Sequence, residues 1–123
     1  MKYIYYLCNM RTLIKTQAYI EFYNSVSEKV KKKIDYVSNI IIQNKVVNTN
    51  FVKKVENTDF YEMRISTGNE YRVILFSIDH ENIIESTQIL MLNGFIKKSK
   101  KDYPPQIEIA KRIIKQLEDE SED

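Results

Sequence analysis

Two arginines lie eight residues apart in the segment YEMRISTGNEYRVILF, residues 61–76. Arg64 and Arg72 stand among apolar and aromatic residues, where a charged side chain must face water or find a partner. Glu62 and Glu70 offer ion pairs within the segment, and an anion shared by both arginines offers another explanation. Because a guanidinium donates paired hydrogen bonds that suit a phosphate, the two arginines are candidates for an anion site.

The length of the turn between the two arginines decides whether they can act together. A two-residue turn at Gly68-Asn69 points them to opposite faces of the sheet. A three-residue turn that begins at Thr67 sets Arg64 opposite Arg72 on one face, with Asn69 in the left-handed conformation. Like charges directly opposite each other are unfavourable unless an anion lies between them, so a shared phosphate requires the three-residue turn.

Lysines flank this segment on both sides. Lys53 and Lys54 precede it, and Phe95 and Tyr103 border a later group of four lysines: Lys97, Lys98, Lys100 and Lys101. A lysine run in a loop is often only solvated, but clustered cations also hold phosphates and lower the pKa of a neighbouring amine. An aromatic ring beside them can stack on an unpaired base.

The sequence lacks the residues of other common catalytic sites. It has no Gly-rich phosphate loop, no Ser/His/Asp arrangement and no carboxylates at metal-ligand spacing. The lone Cys8 cannot form a disulfide within the chain, and the lone His80 is either an exposed turn residue or a catalytic base. We therefore expect no metal and no cofactor, and an enzyme built from this chain must work with Lys, Arg and Tyr.

Charge is unevenly distributed along the 123 residues, whose net charge is +2. Residues 1–117 contain all 19 basic residues against 12 acidic ones, a net charge of +7, which favours a polyanionic partner. We divide the chain into an N-terminal extension or first strand over 1–10, one domain over 11–117, and an acidic tail over 118–123. With no signal-peptide core and no membrane span, we expect a cytoplasmic protein without a membrane partner.

Apolar spacing predicts the elements that position these side chains. Residues 11–15 indicate a short strand, and residues 16–24 have apolar positions at helical spacing. A second helix begins at Ser25 or Ser27 and ends near Gln43, with an apolar stripe at Val30, Ile34, Val37 and Ile41. The opposite face of that helix carries Lys29, Lys31, Lys32, Lys33 and Asp35.

The second half of the chain predicts a three-stranded meander and a last helix. Residues 59–66, 70–78 and 83–92 are typical of strands, and Pro104-Pro105 opens a helix with apolar positions at Ile107, Ala110, Ile114 and Leu117. The order is therefore strand, helix, helix, three strands, helix. Such an order predicts an α+β domain whose helices pack on an antiparallel sheet.

Two segments, FVKKVENTDFYEMRISTGNEYRVILF and ILMLNGFIKKSKKDYPPQIEIAKR, resemble the RelE/ParE toxin superfamily, most closely its phage-derived HigB-like branch. The shared pattern is Lys-Lys-Val, Tyr-Glu-x-Arg, a short turn, Tyr-Arg-Val, and a strand ending in a Gly-Phe-x-Lys-Lys loop before a C-terminal helix. The resemblance covers roughly residues 11–117 and implies a RelE-like fold.

The resemblance also implies a function. Members of this superfamily are toxins of type II toxin–antitoxin pairs, and many arrest growth by cutting mRNA in the ribosomal A site, through attack of the RNA 2′-OH on the scissile phosphate. The implied partners are an antitoxin with a helix-turn-helix domain, the ribosome and mRNA. Operator DNA would be reached only through the antitoxin.

Site roles follow from the same resemblance. Arg72 matches the arginine that stabilises the scissile phosphate, and Arg64 matches a basic strand residue. Lys98, with Lys97, matches the basic residue after the last strand. Tyr103 matches an aromatic residue that stacks on a base. The candidate catalytic residues are Arg72, Lys98, Arg64 and Tyr103. The candidate RNA-binding residues are Lys53, Lys54, Lys97, Lys100, Lys101 and Phe95.

Two departures from the family pattern keep other functions open. Asn93 stands where the family frequently has His before Gly-Phe, and Tyr103 is one residue out of register. The alternatives are a non-catalytic RelE-fold protein that binds an antitoxin or a nucleic acid, for example as a co-repressor, and a ParE-like gyrase poison. The cation set around Arg72 and Lys98 is not expected in the gyrase-poisoning branch.

Overall fold

A computed structural model describes residues 10–121 of the chain. The predicted N-terminal extension lies outside the described residues except for Met10, as do Cys8 and the last two residues of the acidic tail. The elements are β1 (Thr12–Lys15), α1 (Gln17–Ser25), α2 (Glu28–Gln43), β2 (Val52–Lys54), β3 (Tyr61–Thr67), β4 (Asn69–Ser77), β5 (Gln88–Lys97) and α3 (Tyr103–Ser121), with a 3-10 turn at Lys100–Asp102.

One five-stranded sheet, in the order β1-β5-β4-β3-β2, forms the centre of the described chain. Its neighbouring strands are antiparallel except at one edge, where β1 pairs parallel to β5 and sets Thr12 beside Gln88. The sheet has helices on both faces, so the predicted α+β class is confirmed. No helix within residues 10–121 is long and apolar enough to cross a membrane.

The helical hairpin α1–α2 covers one face of the sheet. Its predicted stripe is confirmed, because Val30, Ile34, Val37 and Ile41 are all buried against strands β3, β4 and β5. The helix α2 begins after Ser27, whose hydroxyl accepts a hydrogen bond from the Val30 N–H, so the second of the two proposed caps is the one used.

The helix α3 covers the other face of the sheet. Ile107 and Ala110 are buried in a second core cluster with Ile74, Leu92 and Phe95. The predicted stripe is therefore correct for the first half of the helix. It fails at its far end, where Leu117 is exposed along with every other residue from 115 to 121.

The third strand of the meander lies five residues later than predicted. It runs from Gln88 to Lys97 instead of 83–92, because the Asp79 carboxylate accepts hydrogen bonds from the Thr87 and Gln88 N–H groups and the Ser86 hydroxyl, which holds the preceding residues in a long loop. The bond from the Ser86 hydroxyl, followed by one from the Thr87 hydroxyl, keeps the pKa of Asp79 well below its usual range. As a consequence, the Gly-Phe pair lies within the strand and not in the predicted loop after it.

The hairpin β3–β4 has the register of the three-residue turn. Arg64 lies opposite Arg72, as that turn predicts. The predicted conformation of the turn is wrong in one detail, since Gly68 adopts the positive φ of 74° and Asn69 does not. Gly accepts this conformation without the steric cost that a side chain would add. A further strand that was not predicted, β2, pairs with β3 and extends the sheet beside Arg64.

Candidate functional site

An open cleft of about 290 Å³ lies where α3 begins, next to the β2–β3 edge of the sheet. Five cations from four elements line it, together with the first two residues of α3. The lining residues are Lys53, Lys54, Val55, Glu56, Asn57, Glu62, Arg64, Lys97, Lys100, Tyr103 and Pro104. Six of the ten residues predicted for the site are therefore brought together in one cleft.

The basic residue predicted after the last strand does not line this cleft. The strand β5 extends to Lys97, which lies opposite Glu70 and lines the cleft. Lys98 is exposed outside it, and its backbone N–H donates to the Asp102 carboxylate at 2.7 Å. Lys101 is likewise exposed and outside the lining. The register of β5 thus selects Lys97, with Lys100 of the following turn, as the lysines of the cleft.

The turn that carries Lys100 is held by a reciprocal cap. The Ser99 hydroxyl accepts from the Lys101 N–H, and the Asp102 carboxylate accepts from the N–H groups of Lys98 and Ser99. These two backbone bonds lower the pKa of Asp102. The cap fixes the chain between the end of β5 and the start of α3, so Lys100 and Tyr103 enter the cleft from a defined turn.

A buried carboxylate bridges the two arginines of the hairpin. Glu62 is 5% exposed, and its Oε1 lies 3.4 Å from Arg64 Nε and 3.6 Å from Arg72 Nε. Its other oxygen, Oε2, is buried without a hydrogen-bond partner among the described residues. Sequence reasoning named Glu62 only as an ion-pair partner, although its place two residues before Arg64 already predicted a shared face.

Arg72 is the most deeply buried charge of the site. It is 1% exposed, both its Nη atoms lie 3.3 Å from Glu70 Oε1, and Nη1 also donates to the Tyr71 carbonyl at 2.9 Å. Ion pairs within the segment were one explanation for this arginine in a strand, and a shared anion was the other. The structure contains the ion pairs, with Glu62 and Glu70. An external anion reaches this guanidinium only after the side chains that cover it move.

Glu70 closes the outer side of this network. Its side chain is 47% exposed, and it accepts a 2.5 Å hydrogen bond from the Ser66 hydroxyl as well as the bonds from Arg72. The Ser66 bond, followed by the bond from Arg72, lowers the pKa of Glu70. The carboxylate is therefore ionised at neutral pH and competes with any anion for Arg72.

Arg64 is the arginine that a ligand can reach. Its side chain is 29% exposed, and it lines both the cleft and a second hollow, which Lys33, Phe51 and Glu70 also line. Apart from Glu62, its contact is a 3.5 Å bond from Nη1 to the Thr49 carbonyl. A guanidinium with free donors in a basic cleft is suited to a phosphate.

The two candidate aromatic residues have different positions. Phe95 is buried, and the Tyr103 ring packs against it edge-on with ring centres 5.6 Å apart. Tyr103 lines the cleft, whereas Phe95 supports it from below and does not face a ligand. Burial raises the pKa of Tyr103 and the Glu62 carboxylate raises it further, with Arg72 opposing, so the phenol is neutral at physiological pH.

Asn93, which stands where the resembled family frequently has His, serves the fold and not the cleft. It is buried, and its Nδ2 donates to the Gln106 backbone carbonyl and to Gln106 Oε1, which ties β5 to α3. His80 lies in the exposed loop after β4, where its Nδ1 accepts from the Asn82 N–H. Within residues 10–121, no three His, Cys, Asp or Glu side chains are grouped as a metal site would need.

Comparison with known proteins identifies the family and the fold. Residues 21–115 match the family described as "Phage derived protein Gp49-like". No curated protein sequence matches the chain.

Two solved structures share the fold. The free E. coli toxin RelE, in a variant with two arginines replaced by alanine, superposes with a TM-score of 0.58 at 15% identity, covering 85% of this chain and 98% of that one. The RelB–RelE antitoxin–toxin complex from Methanococcus jannaschii gives a TM-score of 0.50 at 18% identity, covering 73% and 96%. The predicted membership of the RelE superfamily is thereby confirmed: the chain belongs to the phage-derived Gp49-like family and has the fold of the RelE toxins.

Proposed function

We propose that this protein is the toxin of a type II toxin–antitoxin pair and an endoribonuclease that cuts mRNA in the ribosomal A site. The cleft at the start of α3 carries the proposal, because five cations and a neutral phenol surround one open volume. Cations attract the RNA backbone, and a phenol offers a ring for a base and a hydroxyl for a proton.

The reaction that suits this site uses the RNA as its own nucleophile. The 2′-oxygen attacks the adjacent phosphorus, the bond to the 5′-oxygen breaks, and a 2′,3′-cyclic phosphate and a 5′-hydroxyl are formed. The protein must hold the strand in line, stabilise the charge that develops on the phosphate, take one proton from the 2′-hydroxyl and return one to the 5′-oxygen.

Each step has a candidate group in the cleft. Arg64 binds the scissile phosphate, because it is the accessible guanidinium. Arg72 adds positive charge beneath it and contacts the phosphate directly only after Glu70 moves aside. The neutral amine form of either Lys97 or Lys100 accepts the 2′-hydroxyl proton, and Tyr103 donates one to the 5′-oxygen while its ring stacks on a base. Lys53 and Lys54 hold the flanking backbone.

The partners follow from the family and the substrate. One solved relative is a RelB–RelE antitoxin–toxin complex, which supports an antitoxin as partner of this chain too. We propose that this antitoxin carries a helix-turn-helix domain and that operator DNA is contacted only through it. A ribosomal substrate places the protein in the cytoplasm.

The test is induction in a bacterial host with mapping of mRNA 5′ ends. Wild type should arrest growth and cut translated mRNA. A variant with Arg64→Gln, Lys97→Gln and Lys100→Gln should cut at least about 100-fold more slowly, because it loses positive charge that stabilises the transition state. These three residues are preferred to Arg72, because Arg64→Gln leaves Glu62 paired with the buried Arg72, whereas the loss of Arg72 would take a partner from both Glu62 and Glu70.

The matched control replaces three exposed basic residues of α3, Lys111, Arg112 and Lys115, by Gln and should keep wild-type cutting. Growth arrest without mRNA cleavage would contradict the nuclease proposal and favour a gyrase poison. The absence of both, in a protein that binds its antitoxin, would favour a non-catalytic binding protein. The burial of Arg72 between two carboxylates is the observation that supports that second function.

A further inference from the structure

The helix α2 presents a basic ridge that the cleft does not use. Lys29, Lys32, Lys33 and Tyr36 follow one another at i, i+3, i+4 and i+7, so they share one face of the helix. The ridge is about 10 Å long and lies away from the stripe that α2 buries in the core. We use the name lysine ridge for these four residues.

The lysines of the ridge lack acidic partners. In the described part of the chain, none of the three forms an ion pair. The acids of α2 are engaged elsewhere, because Glu28 pairs with Lys31 at 3.2 Å and Asp35 accepts a bond from the Tyr23 hydroxyl at 2.8 Å. An ordinary solvated helix face alternates charges of both signs, whereas this ridge concentrates one sign.

An exposed aromatic residue lies within the ridge. Tyr36 is 55% exposed, its ring packs edge-on against Phe51 at 6.5 Å between ring centres, and Lys33 Nζ lies 5.2 Å from the centre of the same ring. These contacts hold Lys33 and the ring in place on the surface. Lysines interleaved with a fixed aromatic ring are typical of surfaces that bind nucleic acids.

The ridge is continuous with the cleft. A hollow of about 280 Å³ lies beside it, lined by Lys33, Asn50, Phe51, Arg64, Ser66 and Glu70. Arg64 also lines the cleft, so one guanidinium borders both. A single polyanion can therefore run from the cleft across Arg64 to Lys33, with a cation on each side of the hollow and the Glu70 carboxylate at its edge held by Ser66 and Arg72.

We propose that the lysine ridge is a second RNA-binding surface, which holds the phosphate backbone of RNA that lies next to the strand in the cleft. The proposal rests on the proposed function for the class of its partner. RNA is favoured over an acidic protein segment because the ridge continues, through Arg64, the surface on which the substrate strand would lie.

The test measures binding without cleavage. A fluorescein-labelled RNA hairpin is titrated with the full-length protein from about 50 to 200 mM salt, and the slope of log affinity against log salt is compared. The variant Lys29→Gln, Lys32→Gln, Lys33→Gln should bind at least about tenfold more weakly at the lowest salt. Its slope should be shallower by about 2 to 3, because each lost phosphate contact removes 0.7 to 0.9.

The control is the Lys111→Gln, Arg112→Gln, Lys115→Gln variant, which has the same net charge and changes another helix. It should change the slope by less than about 1. An equal loss in both variants would mean a general charge effect, and no loss in the ridge variant would assign the ridge to another partner; either result overturns the proposal. Circular dichroism melting verifies that both variants fold. A wild-type protein that fails to cut mRNA would remove the nuclease function but not change these slopes, so the two failures are distinguishable.

Discussion

At the scale of single residues, the site contains its own anion. The register sets Arg64 opposite Arg72, an arrangement that is unfavourable unless a negative charge lies between them. The sequence left open either an external phosphate or ion pairs with Glu62 and Glu70, and in the folded chain the carboxylate of Glu62 lies between the two arginines. The hairpin is therefore stable without substrate, and an RNA phosphate must compete with internal carboxylates for the arginines.

Glu62→Gln tests this role of the internal anion. The substitution keeps the shape of the side chain but leaves the buried Arg72 with Glu70 alone. We expect the free energy of unfolding to fall by about 3–5 kcal/mol, the usual cost of removing one partner of a buried pair. Urea denaturation followed by circular dichroism measures it.

Glu70→Gln is the comparison for that experiment. Its side chain is half exposed, so solvent screens its pairing with Arg72 and the expected loss is about 1 kcal/mol or less. If the two variants lost the same free energy of unfolding, Glu62 would not be the charge that stabilises the hairpin.

The sequence predicted which residues of the site share a face but not how deeply each is buried. Strand alternation and turn length set Arg64 and Arg72 on one side of the sheet, which the structure confirms. Alternation carries no information on what covers that side. Its cover comes from Tyr103 and the first turn of α3, a contact between residues about thirty positions apart in the chain.

At the scale of elements, the position of β5 decides which lysine enters the cleft. Periodicity located the helices well, because a long apolar stripe leaves one solution, as it does for α2. A run such as IIESTQILML fits several strand starts equally. Asp79 decides where the strand begins, because its carboxylate accepts hydrogen bonds from the Thr87 and Gln88 N–H groups. An apolar strand pattern gives no sign of these bonds. Because β5 begins later than the pattern predicts, Lys97 lines the cleft and Lys98 lies outside it.

Gly94 of β5 lies directly against the Phe22 ring of α1. A Cβ atom added at Gly94 would lie 2.3–2.6 Å from three carbon atoms of the Phe22 ring, so α1 approaches β5 more closely than a side chain allows. We expect Gly94→Ala to lower the free energy of unfolding by about 1–3 kcal/mol, the typical cost of overpacking. Thermal or urea unfolding measures the change.

A double-mutant cycle identifies the cause. In a Phe22→Ala background the ring is gone, so adding Gly94→Ala should cost at least about 1 kcal/mol less than in the wild type. An unchanged cost would show that the penalty comes from the backbone of β5 and not from the packing of α1.

At the scale of the whole molecule, Arg11 joins segments that are distant in the sequence. It is 6% exposed, and its guanidinium donates to backbone carbonyls at the end of α2 and in the loop between β4 and β5: those of Ile41, Asn44, Lys45, Ile83, Ile84 and Ser86. Helix ends leave such carbonyls without partners and slightly negative, so a cation there is favourable. Burial lowers the pKa of Arg11, and the negative charge of Glu85 opposes that shift.

Arg11→Met should therefore loosen two places at once. Met keeps most of the apolar stem but removes every donor, which leaves several carbonyls in a partly dry site. We expect the free energy of unfolding to fall by at least about 2 kcal/mol, since one unsatisfied buried acceptor alone costs about 1–3. Hydrogen exchange should quicken in residues 41–45 and 83–88 together, while the hairpin β3–β4 keeps its protection.

The control is Lys45→Gln, which removes only an exposed 3.5 Å ion pair with Glu85. It should lower the free energy of unfolding by less than about 1 kcal/mol. Faster exchange in only one of the two segments would show that Arg11 does not couple them.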